Sequence, residues 1–345
     1  MQPLPERIDT EEQLDELLTR PKAALVEFIK TVSSPLLILG AGGKMGPTLA
    51  VLAKRAASAA RHPLEVIAVS RFSDPNARAW LEARQVRTIA CDLLDAQAVR
   101  KLPCAEALLY LVGLKFGTAQ DPAATWAMNT IVPVRVLERY PQARIAALST
   151  GNVYPLAEAA KGGCLETAPL TPLGEYANAA VGRERIFEFC SRAGHTPVTL
   201  LRLFYAVELR YGVLADLAQK VRLGNAIELA NGYFNCIWQG DANELALRAL
   251  SLAAWPPSVW NLCRPETFSV RAVASRLGEL LGRPAQFIGA ETSTALLGAS
   301  ARLCAALGAP SIPLDVMLRW VAHWVEQGGR NLAKPTHFEA RDGNY

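Results

Sequence analysis

The longest uninterrupted apolar run in this chain is six residues, Ala107 to Val112, far short of the roughly 20 that a membrane-spanning helix needs. The N-terminal stretch is acidic and helix-like, without the charged-then-apolar plan of a secretory signal. A cytoplasmic location with no membrane partner is therefore the default expectation. Histidine is scarce: His62, His195, His323 and His337 are the four present, and they lack metal-ligand spacing. The seven cysteines, Cys91, Cys104, Cys164, Cys190, Cys236, Cys263 and Cys304, are scattered without a CxxC pair and read as reduced, mostly buried thiols. No structural metal is expected. Charge of one sign is also in short supply, since the formal net charge is +4 with the basic residues dispersed; no nucleic-acid partner is expected. Repeats and low-complexity tracts are absent. What remains is a chain of 345 residues, 51% hydrophobic, long enough to bury a large core in one or two domains.

The densest signal is Leu37-Ile-Leu-Gly40-Ala-Gly42-Gly43-Lys44-Met45-Gly46-Pro-Thr-Leu, an apolar strand running into a glycine turn and then a helix. Glycines at 40, 43 and 46 give GxxGxxG, and those at 40, 42 and 46 give GxGxxxG. Lacking Cβ atoms, such residues turn sharply and let backbone approach a pyrophosphate, while the first N–H groups of the next helix face an anion. Pro47 falls in the first helical turn, where its missing N–H costs little, and Met45, Leu49, Leu52 and Ala56 follow at helical spacing. Lys44 supplies a positive charge within the turn.

Strand-like runs at Leu36–Leu39, Glu65–Val69, Val86–Ala90, Ala107–Val112 and Ile145–Leu148 alternate with helical stretches such as Asp74–Arg84 and Trp126–Tyr140. This alternation predicts an α/β fold, a Rossmann-type doubly wound parallel sheet. Further apolar strand runs occur at Val198–Leu203 and Cys236–Trp238. Ahead of the first strand, Thr10-Glu-Glu-Gln-Leu makes a helix start with Thr10 as N-cap, so residues 1–34 read as an N-terminal helical extension. At the end of the second strand stands Ser70-Arg71, where an acidic residue would instead select the ribose hydroxyls of NAD. A small polar residue followed by a forked cation leaves room for a 2′-phosphate, so NADP is favoured and NAD stays possible; the alternative is a solvated arginine at a strand end. Asp92 in Cys91-Asp92-Leu93 is read as an adenine contact or as a plain turn aspartate.

From about Leu36 to Gly282 the order of motifs resembles the extended short-chain dehydrogenase/reductase superfamily, which contains the sugar epimerases and dehydratases. The resemblance is carried by the glycine turn, Asp92-Leu93, Leu111-Val112-Gly113-Leu114-Lys115, Met128-Asn129-Thr130, Ser149-Thr150-Gly-Asn-Val-Tyr154-Pro, Arg202-Leu-Phe-Tyr205, Trp238-Gln-Gly-Asp241-Ala and Trp260-Asn261-Leu262. It implies cofactor contacts from Val112, Gly113 and Lys115, and an organising role for Asn129. It further implies a dinucleotide-binding domain at 35–203, a smaller and mainly substrate-binding α/β part at 204–345, and a homodimer through helices near Trp126–Tyr140 and Tyr176–Arg192. Thr150 and Tyr176 take the family's catalytic places: the phenol moves a proton to or from a substrate oxygen, and the hydroxyl holds that oxygen.

The chain departs from the family at one point, because the lysine expected four residues after the tyrosine is Ala180. Tyr176 loses its tuning charge, and Lys115 or Arg183 are the candidates to replace it. Glu184 still fits the glutamate that follows the lysine. The arginine that commonly precedes the strand Asn235-Cys-Ile-Trp238 in nucleotide-sugar enzymes is also missing, which points to a smaller polyhydroxylated or acidic substrate. Trp126, Tyr154, Tyr205, Arg210 and Trp238 are pocket-wall candidates, and the polar tail from Lys334 to Tyr345 is read either as covering a site or as an ordered surface tail. The expected activity is an NAD(P)-dependent oxidoreductase or epimerase-like conversion of a hydroxyl or carbonyl of a carbohydrate-type small molecule. Its alternatives are a dinucleotide-binding sensor or regulatory protein, and a non-redox lyase or isomerase with a resident cofactor.

Overall fold

Leu36–Leu39 is buried along its whole length, and its side chains divide between two cores. Leu36 and Ile38 join the cluster under helices Ala23–Ile29 and Gly46–Ala59, while Leu37 and Leu39 join the opposite one with Val132, Val136 and Phe187. Val66 and Ala68 against Ile67 and Val69 repeat the division in the neighbouring strand. Alternate residues of a strand point to opposite faces, so a sheet with helices on both sides demands continuous apolar runs. The computed structural model describes residues 3–115, 120–334 and 336–343. Its central sheet has seven strands, in the spatial order Ser258–Leu262, Val198–Leu203, Arg144–Thr150, Ala107–Tyr110, Leu36–Leu39, Val66–Ser70 and Arg87–Ala90. Every pairing is parallel.

The predicted helices form with shifted ends, as Pro75–Glu82 capped by Asp74 and Pro122–Arg139 capped by Asp121. Thr10 caps Glu11–Leu18 by accepting the Gln13 amide at 3.2 Å. One strand expectation needs correction. The fourth strand stops at Tyr110, because Leu111 to Lys115 leave the sheet beside the glycine turn. Cys236–Trp238 is a strand with the expected bounds and pairs with Tyr205–Val207 outside the central sheet, whose seventh place is filled by Ser258–Leu262.

A separate core holds the C-terminal half, where Val213–Leu223, Val270–Leu280 and Leu314–Glu326 pack around Trp238, Trp320 and Phe338. The N-terminal segment ties the cores together: Ile8, Leu14 and Leu18 belong to this core, whereas Leu25 and Ile29 belong to the sheet's. Lys22 pairs with buried Asp241, whose other bonds hold the Ser311 and Ile312 amides. All seven cysteines are free thiols. Among the described residues no helix is long and apolar enough to cross a membrane.

Candidate active site

The strand order reverses between Leu36–Leu39 and Ala107–Tyr110, and in open parallel sheets ligands bind at such a switch point, beyond the strands' C-terminal ends. The glycine turn stands there. Gly40 adopts φ +82°, and a Cβ on Gly46 would lie 2.4 Å from the Ala41 carbonyl oxygen, so larger side chains cannot close the turn. A Cβ on Gly43 would meet only the Gly40 oxygen, at 3.3 Å; this residue is exposed and faces the cleft. The helix Gly46–Ala59 has no side-chain cap among the described residues, which leaves its first amides directed at whatever occupies the crevice. The turn therefore fits a dinucleotide's phosphates by backbone shape and by dipole.

A cleft of about 710 Å³ opens over this turn. It brings together Gly40, Gly43, Lys44, Met45, Gly46, Gly113, Lys115, Thr150 and Tyr176 of the predicted residues. Gly42 backs onto Ser70, whose Oγ would lie 2.7 Å from an added Cβ. Ser70 is joined to the third strand's end by the Cys91 amide at 2.9 Å; Gly42, Ser70, Arg71 and Asp92 are not among the residues that line the cleft. Arg71 and Asp92 are exposed, and the Asp92 carboxylate accepts the Leu94 amide at 2.9 Å. Leu93 and Val112 are buried in the core under the sheet. Asn129 is fully buried, donating to the Thr125 carbonyl at 2.8 Å and accepting from Arg183 at 2.7 Å.

Thr150 caps the short turn Gly151–Val153 by accepting the Asn152 amide at 3.2 Å, and donates to the Asn152 Oδ1 at 3.0 Å. Its neighbour Ser149 donates instead to Glu184, at 2.5 Å. Glu184 is paired with Arg202 at 2.7 Å, and Arg202 donates to the Tyr154 hydroxyl at 2.6 Å. Tyr154 in turn donates to Asn261 at 2.9 Å, and burial pushes its phenol up to about 12. This chain of buried partners fixes the end of the fifth strand, and with it Thr150. Tyr176 is largely buried in the first turn of Gly174–Gly194, where it lines the cleft.

Ala180 is fully buried among Val153, Tyr154 and Phe204, an apolar setting unlike that of a cofactor-binding lysine. Of the two candidate replacements, Lys115 lines the cleft, whereas Arg183 is engaged outside its lining with the Val112 carbonyl, at 3.0 Å, and Asn129. Lys44 lies over the Tyr211 ring, 3.0 Å from its centroid, and donates to the Ala206 carbonyl at 3.3 Å. Burial above all pulls its ammonium down to about 7; Glu208 and Asp216 oppose that, and Lys115 and Lys334 reinforce it. Burial likewise lowers Lys115 to about 8.

Among the pocket-wall candidates only Tyr205 lines the cleft. Tyr154 belongs to the buried network, and Trp238 packs on Trp320. Arg210 pairs with Glu208, Glu11 and Asp15, while Trp126 is a surface residue bonded to Glu175. Sequence reasoning missed Tyr211 and Gly212, which carry no motif. It left the tail undecided, yet Lys334, Thr336 and His337 are part of the wall; residues 335, 344 and 345 of that tail lie outside the described residues.

A parallel doubly wound sheet with a glycine turn and an uncapped helix at its switch point defines an α/β protein of the dinucleotide-binding kind. The profile of the NAD dependent epimerase/dehydratase family matches residues 36–232, and the chain belongs to that family. None of the curated proteins matches it. Solved structures of similar fold include UDP-glucose 4-epimerase from Thermotoga maritima, 17% identical, with a TM-score of 0.69 over 85% of this chain and 99% of that one. UDP-glucuronic acid 4-epimerase from Bacillus cereus, in complex with NAD, has a TM-score of 0.69 at 17% identity, covering 85% and 96%. ADP-L-glycero-D-manno-heptose-6-epimerase from Helicobacter pylori reaches 0.70 at 17% identity, covering 85% and 97%.

Proposed function

We propose that this protein is an NAD(P)-dependent oxidoreductase or epimerase-like enzyme acting on a hydroxyl or carbonyl of a carbohydrate-type small molecule. The observation that carries the reading is that the glycine turn, Thr150 and Tyr176 share one cleft. A bound nicotinamide dinucleotide would supply hydride transfer. Thr150 holds the substrate oxygen, and the Tyr176 phenol gives or takes its proton. The solved relatives that act on nucleotide-linked sugars support a sugar-type substrate. A compound smaller than a nucleotide sugar is favoured here, because the place of the missing arginine, just before Asn235, is held by Phe234, which is fully buried in the C-terminal core.

NADP is the preferred cofactor in this reading, through exposed Arg71 beside Ser70. Charge-assisted bonds to phosphate are worth about 1.5–3 kcal/mol, so Arg71→Ala should weaken NADPH roughly tenfold or more while leaving NADH nearly unchanged. Equal affinities of the variant and the unmodified protein for NADPH would remove Arg71 from the site. Buried Ala180 favours a second reading, a protein that binds the dinucleotide without net redox turnover. Cofactor binding with no oxidation or reduction across a panel of sugars and sugar acids would select it.

A homodimer completes the proposal. Pro122–Arg139 and Gly174–Gly194, the helices that the family resemblance assigns to the interface, expose Trp126, Ile131 and Phe189, the last 74% accessible, which supports association through this face. Light scattering should give twice the chain mass, falling to one chain in Phe189→Glu. A monomeric unmodified protein would count against this.

A further inference from the structure

Three lysines and a histidine line the cleft, with no carboxylate among the described lining residues. Two of the lysines come from elements that hold the cofactor in the reading above: Lys44 from the glycine turn and Lys115 from the segment after the fourth strand. Lys334 and His337 come from the C-terminal segment, which is built into the wall. The Leu332 amide donates to the Arg210 carbonyl at 3.0 Å, and Asp216 accepts both the amide and the hydroxyl of Thr336, at 3.1 and 2.5 Å. Phe338 is fully buried in the C-terminal core. Arg341 donates to the carbonyls of Thr294, at 2.6 Å, and Ala230, at 3.0 Å. Ala333 and His337 take left-handed φ values of +51° and +52°, which cost energy in non-glycine residues and persist only where surrounding contacts hold them.

A dinucleotide's pyrophosphate is met by the helix amides and by Lys44, which leaves Lys334 as positive charge surplus to the cofactor. Lys44 and Lys115 are half-buried in the cleft and Lys334 is exposed, and like charges gathered in this way attract an anion; the low Lys44 value reports burial above all, with Glu208 and Asp216 opposing it and Lys115 and Lys334 adding smaller repulsions. We propose that Ala333, Lys334, Thr336 and His337 form the substrate-side wall of the cleft and that Lys334 there binds an anionic group of the substrate, a carboxylate or a phosphate. This rests on the enzymatic reading above and gives it a substrate class.

The test is calorimetric titration of NADP-saturated protein with D-glucuronate, with inorganic phosphate and with D-glucose, repeated without cofactor. One anion should bind about tenfold or more tightly than glucose. Lys334→Gln should abolish that preference, Lys334→Arg should retain it, and neither should move the NADP affinity more than about twofold. Preference for glucuronate assigns a carboxylate, and preference for phosphate a phosphorylated substrate. The proposal is overturned if neither anion outbinds glucose, or if Lys334→Gln binds them as the unmodified protein does. The NADP titration on the same samples judges the enzymatic reading separately, since its failure would leave the cofactor-free anion titrations standing.

Discussion

Tyr176→Phe should lower turnover of an accepted alcohol or ketone by ~10²-fold or more, the range typical of removing a positioned acid or base. NADPH affinity should stay within about twofold, because the proposed binding by the glycine turn uses backbone and Lys44 rather than the phenol. The substitution removes one oxygen from a ring that is largely buried at the start of Gly174–Gly194, so the ring's packing survives. A loss confined to kcat identifies a group acting in the reaction itself. Unchanged kcat in Tyr176→Phe would move the proton transfer to another cleft residue, such as Tyr211 or Lys115.

Glu184→Gln should destabilise the fold by about 3–5 kcal/mol, the cost of leaving a buried charge without its partner. Arg202 and Glu184 are both almost inaccessible, with side chains 6% and 5% exposed. The carboxylate accepts from Ser149 as well, and Arg202 also holds Tyr154 and the Glu166 carbonyl. Removing the charge therefore strands a guanidinium and loosens the strand end that presents Thr150. Arg202→Met should cost a similar amount. The double variant should recover part of the loss, since neither charge is then orphaned. Urea denaturation measures all three, and single variants as stable as the unmodified protein would show that this network contributes no stability.

The fold was legible where burial on both faces forced continuous apolar sequence. Leu36–Leu39 and Val198–Leu203 have the expected bounds because Pro35 and Gly40 bracket the first run, and because the second pairs along its length with Arg144–Thr150. Ser258-Val-Trp-Asn-Leu was not legible as a strand, since its polar residues find partners only after folding. Ser258 bonds Thr199 at 2.9 Å, the Trp260 indole bonds Ser258 at 2.9 Å, and Asn261 accepts from Tyr154. The lining of the cleft was readable where sequence signals are local, as in the glycine turn and Ser149-Thr150. It was unreadable where the cleft wall is assembled from distant chain, as with Tyr211 and the segment around Lys334. Trp126, Tyr154, Arg210 and Trp238 show the converse: a large side chain near a motif carries no sign of whether it faces a cleft, a core or solvent.

The central claim is that the Gly40–Gly46 turn binds a nicotinamide dinucleotide. The most direct measurement is a fluorescence titration of purified, cofactor-free protein with NADPH and with NADH, following quenching of its seven tryptophans. Saturable binding at one site per chain, tighter for NADPH and abolished in Gly46→Val, is the predicted result; no binding of either dinucleotide would contradict the account.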